Sequence, residues 1–191
     1  MSRFYTNRKS IFIAGTAILG ATVAVLDWLS KIFSLKVPFP LLIYLKFDVI
    51  GIPAVMAYFL FGPLSGVAAC LVAFLSISFR DPFSGFMKSL AELATIIGAF
   101  LILRVRSPPV LHKYTKLLAG ISSVALRVLV MAVAIVFLIP TWIVSLPVIC
   151  IFNGIQGVIS IAGGFLVYEA IMLRLPSLKA DRTETEKTIQ R

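Results

Sequence analysis

Lys88 and Glu92 have the types and the spacing to act together. They lie four residues apart in the apolar stretch from about Phe83 to Leu103, and a helix would place both on one face, where they can pair. An ionisable group at bilayer depth is costly unless it is paired or hydrated, so each such residue is a candidate for a functional site. Two interpretations stay open, a structural ion pair between helices and a ligand-binding pair.

Three further polar residues lie inside apolar segments. Arg127 is near the middle of the segment from about Leu117 to Ile139 and needs Glu92, Glu169 or a ligand anion as its partner. Asn153 and Gln156 are three residues apart and offer donors and acceptors on one helix face. That pair suits a planar heterocycle with amide-like edges, and it equally suits hydrogen bonds between helices.

Lys46 and Asp48 begin an apolar stretch, LKFDVIGIPAVMAYFLFGPLSGV at 45–67, which also contains Pro53 and the pair Gly62-Pro63. A glycine followed by proline predicts a tight turn, with Pro63 in the first turn of the next helix. The two charged residues then stand where a loop enters a helix. There they either contact a ligand or hold the loop against its neighbours.

The segments that position these residues predict an all-α membrane protein. The chain is 60% hydrophobic and 14% charged, whereas soluble domains have about 45–50% and about 25%. A single transmembrane domain over 1–175 and a polar tail over 176–191 are expected. We predict six transmembrane helices, at about Ile11–Leu29, Val49–Phe61, Leu64–Phe79, Phe83–Leu103, Leu117–Ile139 and Val148–Leu173. Residues 30–40, with Pro38 and Pro40, and the apolar residues 140–147 are expected to be connectors.

The distribution of basic residues predicts the orientation in a cell membrane. Twelve lie in the amino terminus, the 104–116 loop and the tail, against four on the opposite face. The positive-inside rule therefore places both termini in the cytoplasm and Lys46 and Asp48 outside. Because the net charge of +10 lies between apolar segments and forms no compact basic face, we exclude nucleic acid as a partner.

Several catalytic patterns are missing from the sequence. It contains no phosphate-binding Gly-x-x-x-x-Gly-Lys-Ser/Thr loop, no His-Glu-x-x-His zinc pair and no Gly-x-Ser-x-Gly elbow. Cys70 and Cys150 each lie in an apolar run and predict neither a disulfide framework nor a metal site. We expect a protein that is not an enzyme and has no metal or cofactor.

Three short motifs together resemble the membrane-embedded S components of energy-coupling factor (ECF) transporters, especially the riboflavin-type branch. They are LKFD at 45–48 followed by IPA at 52–54, FGPLSG at 61–66, and Phe-Asn-x-x-Gln-Gly at 152–157. Their order and spacing carry the resemblance, which covers most of residues 11–173.

The resemblance implies a six-helix S-component bundle with a vitamin pocket on the outer side. Leu45 to Asp48 would belong to the pocket wall and gate, and Asn153 to the ligand contacts. On the first helix, Ala17 and Ala21 would meet a coupling transmembrane subunit, with two separate ATPase subunits supplying energy. The full set of candidate substrate-binding residues is Leu45, Lys46, Asp48, Lys88, Glu92, Asn153 and Gln156.

Two departures from the riboflavin-type pattern affect the substrate. Ile135 stands where that branch tends to have an amide, and Gln156 where it tends to have lysine. Riboflavin is the first expectation. The alternatives are a self-sufficient secondary transporter, in which Lys88, Glu92 and Arg127 form an ion relay, and a non-transporting membrane scaffold whose polar residues only join helices.

Overall fold

The computed structural model describes residues 2–104, 114–138 and 142–174 of the chain. Within these residues six helices and one two-stranded sheet form in chain order. They are α1 (Ser2–Ile32), β1 (Val37–Phe39), β2 (Leu42–Phe47), α2 (Gly51–Phe61), α3 (Pro63–Ser78), α4 (Pro82–Arg104), α5 (Thr115–Leu138) and α6 (Trp142–Arg174). The predicted polar tail at 176–191 and most of the basic loop at 104–116 lie outside the described residues.

Two contacts between α1 and α3 show how the helices run. The hydroxyls of Thr16, in the middle of α1, and Ser65, at the beginning of α3, are 2.6 Å apart, and Ser76 bonds Asp27 near the ends of both helices. The two helices are therefore parallel. The β1–β2 hairpin follows the end of α1, and we call the end of the bundle where it lies the hairpin end.

The hairpin corrects the prediction of an irregular connector over residues 30–40. Helix α1 continues to Ile32, and β1 pairs antiparallel with β2 in a register that sets Pro38 opposite Lys46 and Val37 opposite Phe47. Proline is tolerated because a two-stranded sheet consists only of edge strands, on which a missing N–H need not break a ladder bond. Pro38 and Pro40 correctly excluded a helix, but they did not indicate a strand.

Helix α6 corrects the second predicted connector, at 140–147, from residue 142 onward, and residues 140 and 141 lie outside the described residues. The helix begins at Trp142 and includes Pro147. Proline at that position removes one backbone bond near the beginning of a long helix. The apolar residues around it nonetheless continue the helical run.

The turn at Gly62 forms where the sequence predicts it, and a second turn lies at Asp81, between the third and fourth predicted segments. Gly62 has φ of 92°, a left-handed conformation that favours glycine, and Pro63 opens α3. The Asp81 carboxylate accepts the backbone N–H groups of Phe83 and Ser84, each at 3.1 Å, and so caps α4. Hydrogen bonds from Ser84 hold the pKa of the Asp81 carboxyl below its usual value.

The bundle buries small residues and exposes large apolar ones. Helices α1, α4, α5 and α6 each contain a stretch long and apolar enough to cross a membrane, whereas α2 and α3 are shorter apolar helices. Alanines that are at most 3% exposed lie in the four consecutive helices α2, α3, α4 and α5, where they allow close approach; they are Ala54, Ala57, Ala69, Ala73, Ala91, Ala94, Ala99 and Ala119. Exposed Leu, Ile and Phe side chains on the outside give the surface expected of a membrane protein.

Candidate functional site

Glu92 is the centre of a buried polar network near the hairpin end. Its Oε1 atom accepts from Lys88 Nζ at 3.1 Å, from Arg127 Nη1 at 3.0 Å and from Ser160 Oγ at 3.3 Å. The Lys88 pair is the i, i+4 pair that the sequence predicts on α4, and Glu92 is the first of the three partners predicted for Arg127. The side chains of Glu92 and Arg127 are each 1% exposed, so neither charge is compensated by bulk water.

Gly51 allows the Glu92 carboxylate to lie against the beginning of α2. A Cβ atom at position 51 would meet Ser160 Oγ at 2.2 Å and Glu92 Oε2 at 2.5 Å. A residue larger than glycine would therefore displace the carboxylate. Glu92 Oε2 has no hydrogen-bond donor among the described residues, and the positive end of the α2 dipole lies beside it.

Arg127 connects three helices around Glu92. Its Nη1 atom also donates to Thr95 Oγ1 at 3.2 Å, and its Nε atom donates to Asn153 Oδ1 at 3.4 Å. The Asn153 amide in turn donates to the carbonyl of Ile149 at 2.9 Å. Arg127 is thus held by α4 and α6, and both ends of the Asn153 amide are hydrogen-bonded.

Asp48 links this network to the end of the hairpin. Its Oδ1 atom accepts from Lys88 Nζ at 2.7 Å. Gln156 bonds the backbone of the same residue twice, donating from Nε2 to the Asp48 carbonyl at 2.7 Å and accepting the Asp48 N–H at Oε1 over 3.3 Å. We name Asp48, Lys88, Glu92, Thr95, Arg127, Asn153, Gln156 and Ser160 the Glu92 network.

Three aromatic rings place the hairpin on α6. The Phe47 ring lies over Phe152 with centroids 4.9 Å apart, and Phe39 contacts both rings at 5.6 and 5.7 Å. Phe39 and Phe152 are buried. Offset and edge contacts of this kind stabilise aromatic pairs beyond the area they bury. The hairpin therefore covers α6 beside the Glu92 network.

The structure brings together five of the seven substrate-binding candidates from the sequence. These are Asp48, Lys88, Glu92, Asn153 and Gln156. Leu45 is half-buried, and Lys46 is exposed and forms no ion pair with a described side chain. Thr95 and Ser160 were missed because a hydroxyl in an apolar helix carries no distinctive signal.

A second polar cluster joins α1, α3 and the loop before β1. Asp27 is fully buried, and its carboxylate accepts from Lys36 at 3.0 Å, from Ser76 at 3.1 Å and from Arg80. The Arg80 guanidinium also lies over the Trp28 ring, 5.0 Å from its centroid. We name these five residues the Asp27 cluster. The sequence carried a signal for this cluster, because Asp27 lies inside an apolar segment. The same criterion identified Glu92.

Ala17 and Ala21 lie on an exposed face of α1. The opposite face carries the buried residues Leu19 and Val23, which join the core with α2 and α3. The two alanines are thus free of contacts that would bury them. Their predicted role in binding a partner stays a prediction.

The Glu92 network carries equal numbers of opposite charges. Two carboxylates face two cations, and two side-chain amides extend the set toward the hairpin. Such a group can orient a small polar molecule through hydrogen bonds. Among the described residues no three His, Cys, Asp or Glu side chains are grouped as metal ligands would be.

The fold is similar to a solved structure, the S component of a bacterial ECF transporter. The two chains superpose with a TM-score of 0.71 at 24% sequence identity, over 87% of this chain and 98% of that chain. No family model and no curated protein matches this sequence. At that identity the likeness shows the fold, and function has to be argued from the site.

Proposed function

We propose that this chain is the substrate-binding S component of an ECF-type transporter. It captures a vitamin outside the cell for ATP-driven uptake. The observation that carries the proposal is the convergence of two of the sequence motifs, LKFD and Phe-Asn-x-x-Gln-Gly, at the Asp48–Gln156 contact. The S-component fold of the solved neighbour supports the same function.

We propose riboflavin as the ligand, which would place this chain in the riboflavin-type branch of the S components. The aromatic side chains of the hairpin and α6 offer surfaces for a flat heterocycle. Asn153, whose amide Arg127 and Ile149 hold in place, is the polar contact proposed for the edge of that heterocycle. Ile135 is buried on α5, and its side chain cannot form a hydrogen bond. A polar group of the ligand left unpaired beside Ile135 would cost about 1–3 kcal/mol of binding free energy. A second flat vitamin, with an apolar edge at this position, should therefore be tested beside riboflavin.

Six membrane spans, cytoplasmic termini and a plasma-membrane location complete this proposal. The 23 residues of α4 extend about 35 Å, enough for a hydrocarbon core of about 30 Å. Helix α2, with 11 residues, is too short to cross a flat bilayer alone. Six of its residues are buried among its neighbours, which suits a segment inside the bundle.

Transport is proposed to require partners. Ala17 and Ala21 allow a coupling transmembrane subunit to approach α1 closely, and two ATPase subunits supply energy. Residues 1–175 form one transmembrane domain and 176–191 a polar tail. The chain itself binds and releases its ligand without changing it chemically, and no cofactor is needed.

Purification in detergent tests the ligand. We expect the wild-type protein to quench riboflavin fluorescence on binding and to carry a flavin detectable by mass spectrometry. Asn153→Ala should weaken binding at least tenfold, whereas Thr95→Val, which removes another bond to Arg127, should keep affinity within about threefold. Absence of any vitamin from the purified protein, together with no riboflavin binding, would overturn the proposal and favour the scaffold.

Reconstitution tests the partners. Ala17→Trp should abolish uptake in proteoliposomes that contain the coupling and ATPase subunits and should leave riboflavin binding unchanged. Ile18→Trp, at an exposed neighbouring position, is the control for bulk on the same helix. Full uptake by Ala17→Trp would show that the partner does not dock on this face.

The alternating charges Asp48, Lys88, Glu92 and Arg127 favour one rival, an ion-coupled secondary transporter. Eleven residues of α5, about 16 Å, separate Arg127 from Lys116, which pairs with Glu169 at the other end. No described ionisable pair bridges that gap, so the relay does not continue across the bundle. Uptake without ATPase subunits that collapses with an uncoupler would establish the rival instead.

A further inference from the structure

The last turns of α6 continue beyond the end of α2. The two helices run side by side, since a Cβ atom at Gly51 would meet Ser160 Oγ at 2.2 Å. Further along, the Phe59 ring lies 5.5 Å from that of Tyr168. Helix α2 ends two residues after Phe59, whereas α6 continues for six residues past Tyr168, about 9 Å, to Arg174. The end of α6 that points away from the hairpin is therefore not covered by α2.

A groove lies along this uncovered end of α6. The described residues that line it are Leu166, Val167, Ala170, Ile171 and Arg174, and its volume is about 440 Å³. A spacing of four residues places Leu166, Ala170 and Arg174 in one row on the helix surface, beside Val167 and Ile171. Four apolar side chains thus lead along the groove to one guanidinium.

The lining of the groove suits a hydrocarbon chain. The groove belongs to the part of α6 that is long and apolar enough to cross a membrane, and Arg174 is the one polar side chain among its described lining residues. A polar solute would lose its hydration there without gaining hydrogen bonds along the apolar rows. A methylene group takes about as much space as a water molecule, about 30 Å³, so the groove has room for roughly a dozen of them. That is the size of a large part of one phospholipid acyl chain.

The charges at this end of the bundle favour an anionic headgroup. Glu169 is the one described carboxylate there, and it already pairs with Lys116 at 2.7 Å. Arg174 forms no ion pair with a described side chain, and Arg104 lies over the Phe100 ring, 5.4 Å from its centroid. Basic residues where helices leave the membrane bind lipid headgroups. A lipid phosphate would give Arg174 a charged, bidentate hydrogen-bond partner.

We propose that this groove binds an anionic phospholipid, with one acyl chain along Leu166, Val167, Ala170 and Ile171 and the phosphate on Arg174. The lipid fills the space that the short helix α2 leaves beside α6. The groove lies at the end of the bundle opposite the hairpin and shares no residue with the Glu92 network. Lipid binding there therefore does not depend on riboflavin.

Native mass spectrometry of the detergent-purified protein tests the headgroup. We expect phosphatidylglycerol to bind about fivefold more tightly than phosphatidylcholine with the same acyl chains, the gain given by one cation near an anionic lipid. Arg174→Gln should abolish this preference, and Arg174→Lys should retain part of it. Arg104→Gln is the matched control at the same end, since α5 packs between α4 and α6. It should keep the preference within about twofold, because salt screens a charge at that separation.

Filling the groove tests the acyl chain. Ala170→Trp places an indole ring between Leu166 and Arg174, and we expect it to weaken binding of both lipids at least about tenfold, because each methylene group that leaves the groove loses affinity. Val158→Trp adds the same bulk at an exposed position of α6 nearer the hairpin and should bind both lipids as the wild type does. Circular dichroism checks that each variant is folded. Should Ala170→Trp fail to fold, Ala170→Phe is expected to show the same loss.

Four outcomes would overturn the lipid site. They are equal binding of the two lipids by the wild type, an equal loss of preference in Arg104→Gln and Arg174→Gln, unchanged lipid binding by Ala170→Trp, and a dimer without bound lipid, which would assign the groove to a second copy of this chain. A wild-type protein that binds riboflavin but shows no lipid preference would keep the proposed function and lose the lipid site. Lipid binding as expected without riboflavin binding would give the reverse result.

Discussion

The Asp27 cluster and the Glu92 network both bury a carboxylate near the hairpin end, but they compensate it differently. Asp27 faces two cations, and the side chains of Lys36 and Arg80 are 21% and 19% exposed. Glu92 also faces two cations, of which Arg127 is 1% exposed. Lys88, the other cation of the second cluster, is 14% exposed. Both cations of the first cluster can turn toward water at the end of the bundle, whereas Arg127 in the second cannot.

This difference indicates two structural purposes. The Asp27 cluster joins α1, α3 and the loop before β1, so it anchors the hairpin to one side of the bundle. The Glu92 network joins α4, α5, α6 and the beginning of α2, so it holds the half of the bundle that contains the candidate site. A loss of one charge should therefore cost more in the Glu92 network than in the Asp27 cluster.

Among the variants that test this comparison, we expect Arg127→Met to lower the free energy of unfolding most. It leaves Glu92 buried with Lys88 and Ser160 alone and should lower the free energy of unfolding by about 3–5 kcal/mol. Reversible unfolding in detergent measures this. The double variant Arg127→Met/Glu92→Leu removes both charges and should recover part of the loss. A double variant as unstable as the sum of the two single variants would mean that the pair is not coupled.

Asp27→Asn should cost less, about 1.5–3 kcal/mol, the value of hydrogen bonds to a charged group. Lys36 and Arg80 can turn toward water, so no cation is trapped without compensation. The same unfolding measurement checks it, with Asp81→Asn at the exposed turn as the control for loss of a carboxylate. A greater loss from Asp27→Asn than from Arg127→Met would reverse the comparison.

Gly51→Ala sharpens the comparison at the closest contact of the Glu92 network. The new methyl group meets the Ser160 hydroxyl and the Glu92 carboxylate, so we expect a cost of about 1–3 kcal/mol. Gly120→Ala is the matched control, since a Cβ atom there meets nothing within 4 Å and should stabilise its helix slightly. Equal stabilities of the two variants would show that Glu92 can move away from α2 at no cost.

Local spacing in the sequence predicted part of the Glu92 network. The Lys88–Glu92 pair follows from one helical turn, and Glu92 was one of three partners proposed for Arg127. The contact from Asp48 to Lys88 joins residues 40 positions apart, and no periodicity encodes such a pairing. The two bonds from Gln156 to the Asp48 backbone could not be predicted either, because the donor and acceptor types of an amide suit a ligand as well as a peptide group.

The hairpin shows a second limit. Pro38 and Pro40 correctly excluded a helix, but a strand of three residues paired to one of six is too short for a pattern of alternation to identify. The stability of the hairpin depends on Phe39 and Phe47 resting on Phe152, far away in sequence. Asp27 illustrates a signal that was present, since a carboxylate in an apolar segment needs a partner.

The sequence by itself determined the apolar helical segments, the turns at Gly62 and Asp81 and the polar residues that had to be paired. These follow from local physics, namely hydrophobic length, backbone conformations open to glycine and proline, and the cost of an uncompensated charge. Only the tertiary structure decided which charges meet, that the hairpin rests on α6, and that Asp27 and Glu92 belong to separate clusters. Those results depend on how helices distant in sequence pack, and packing is a property of the whole bundle.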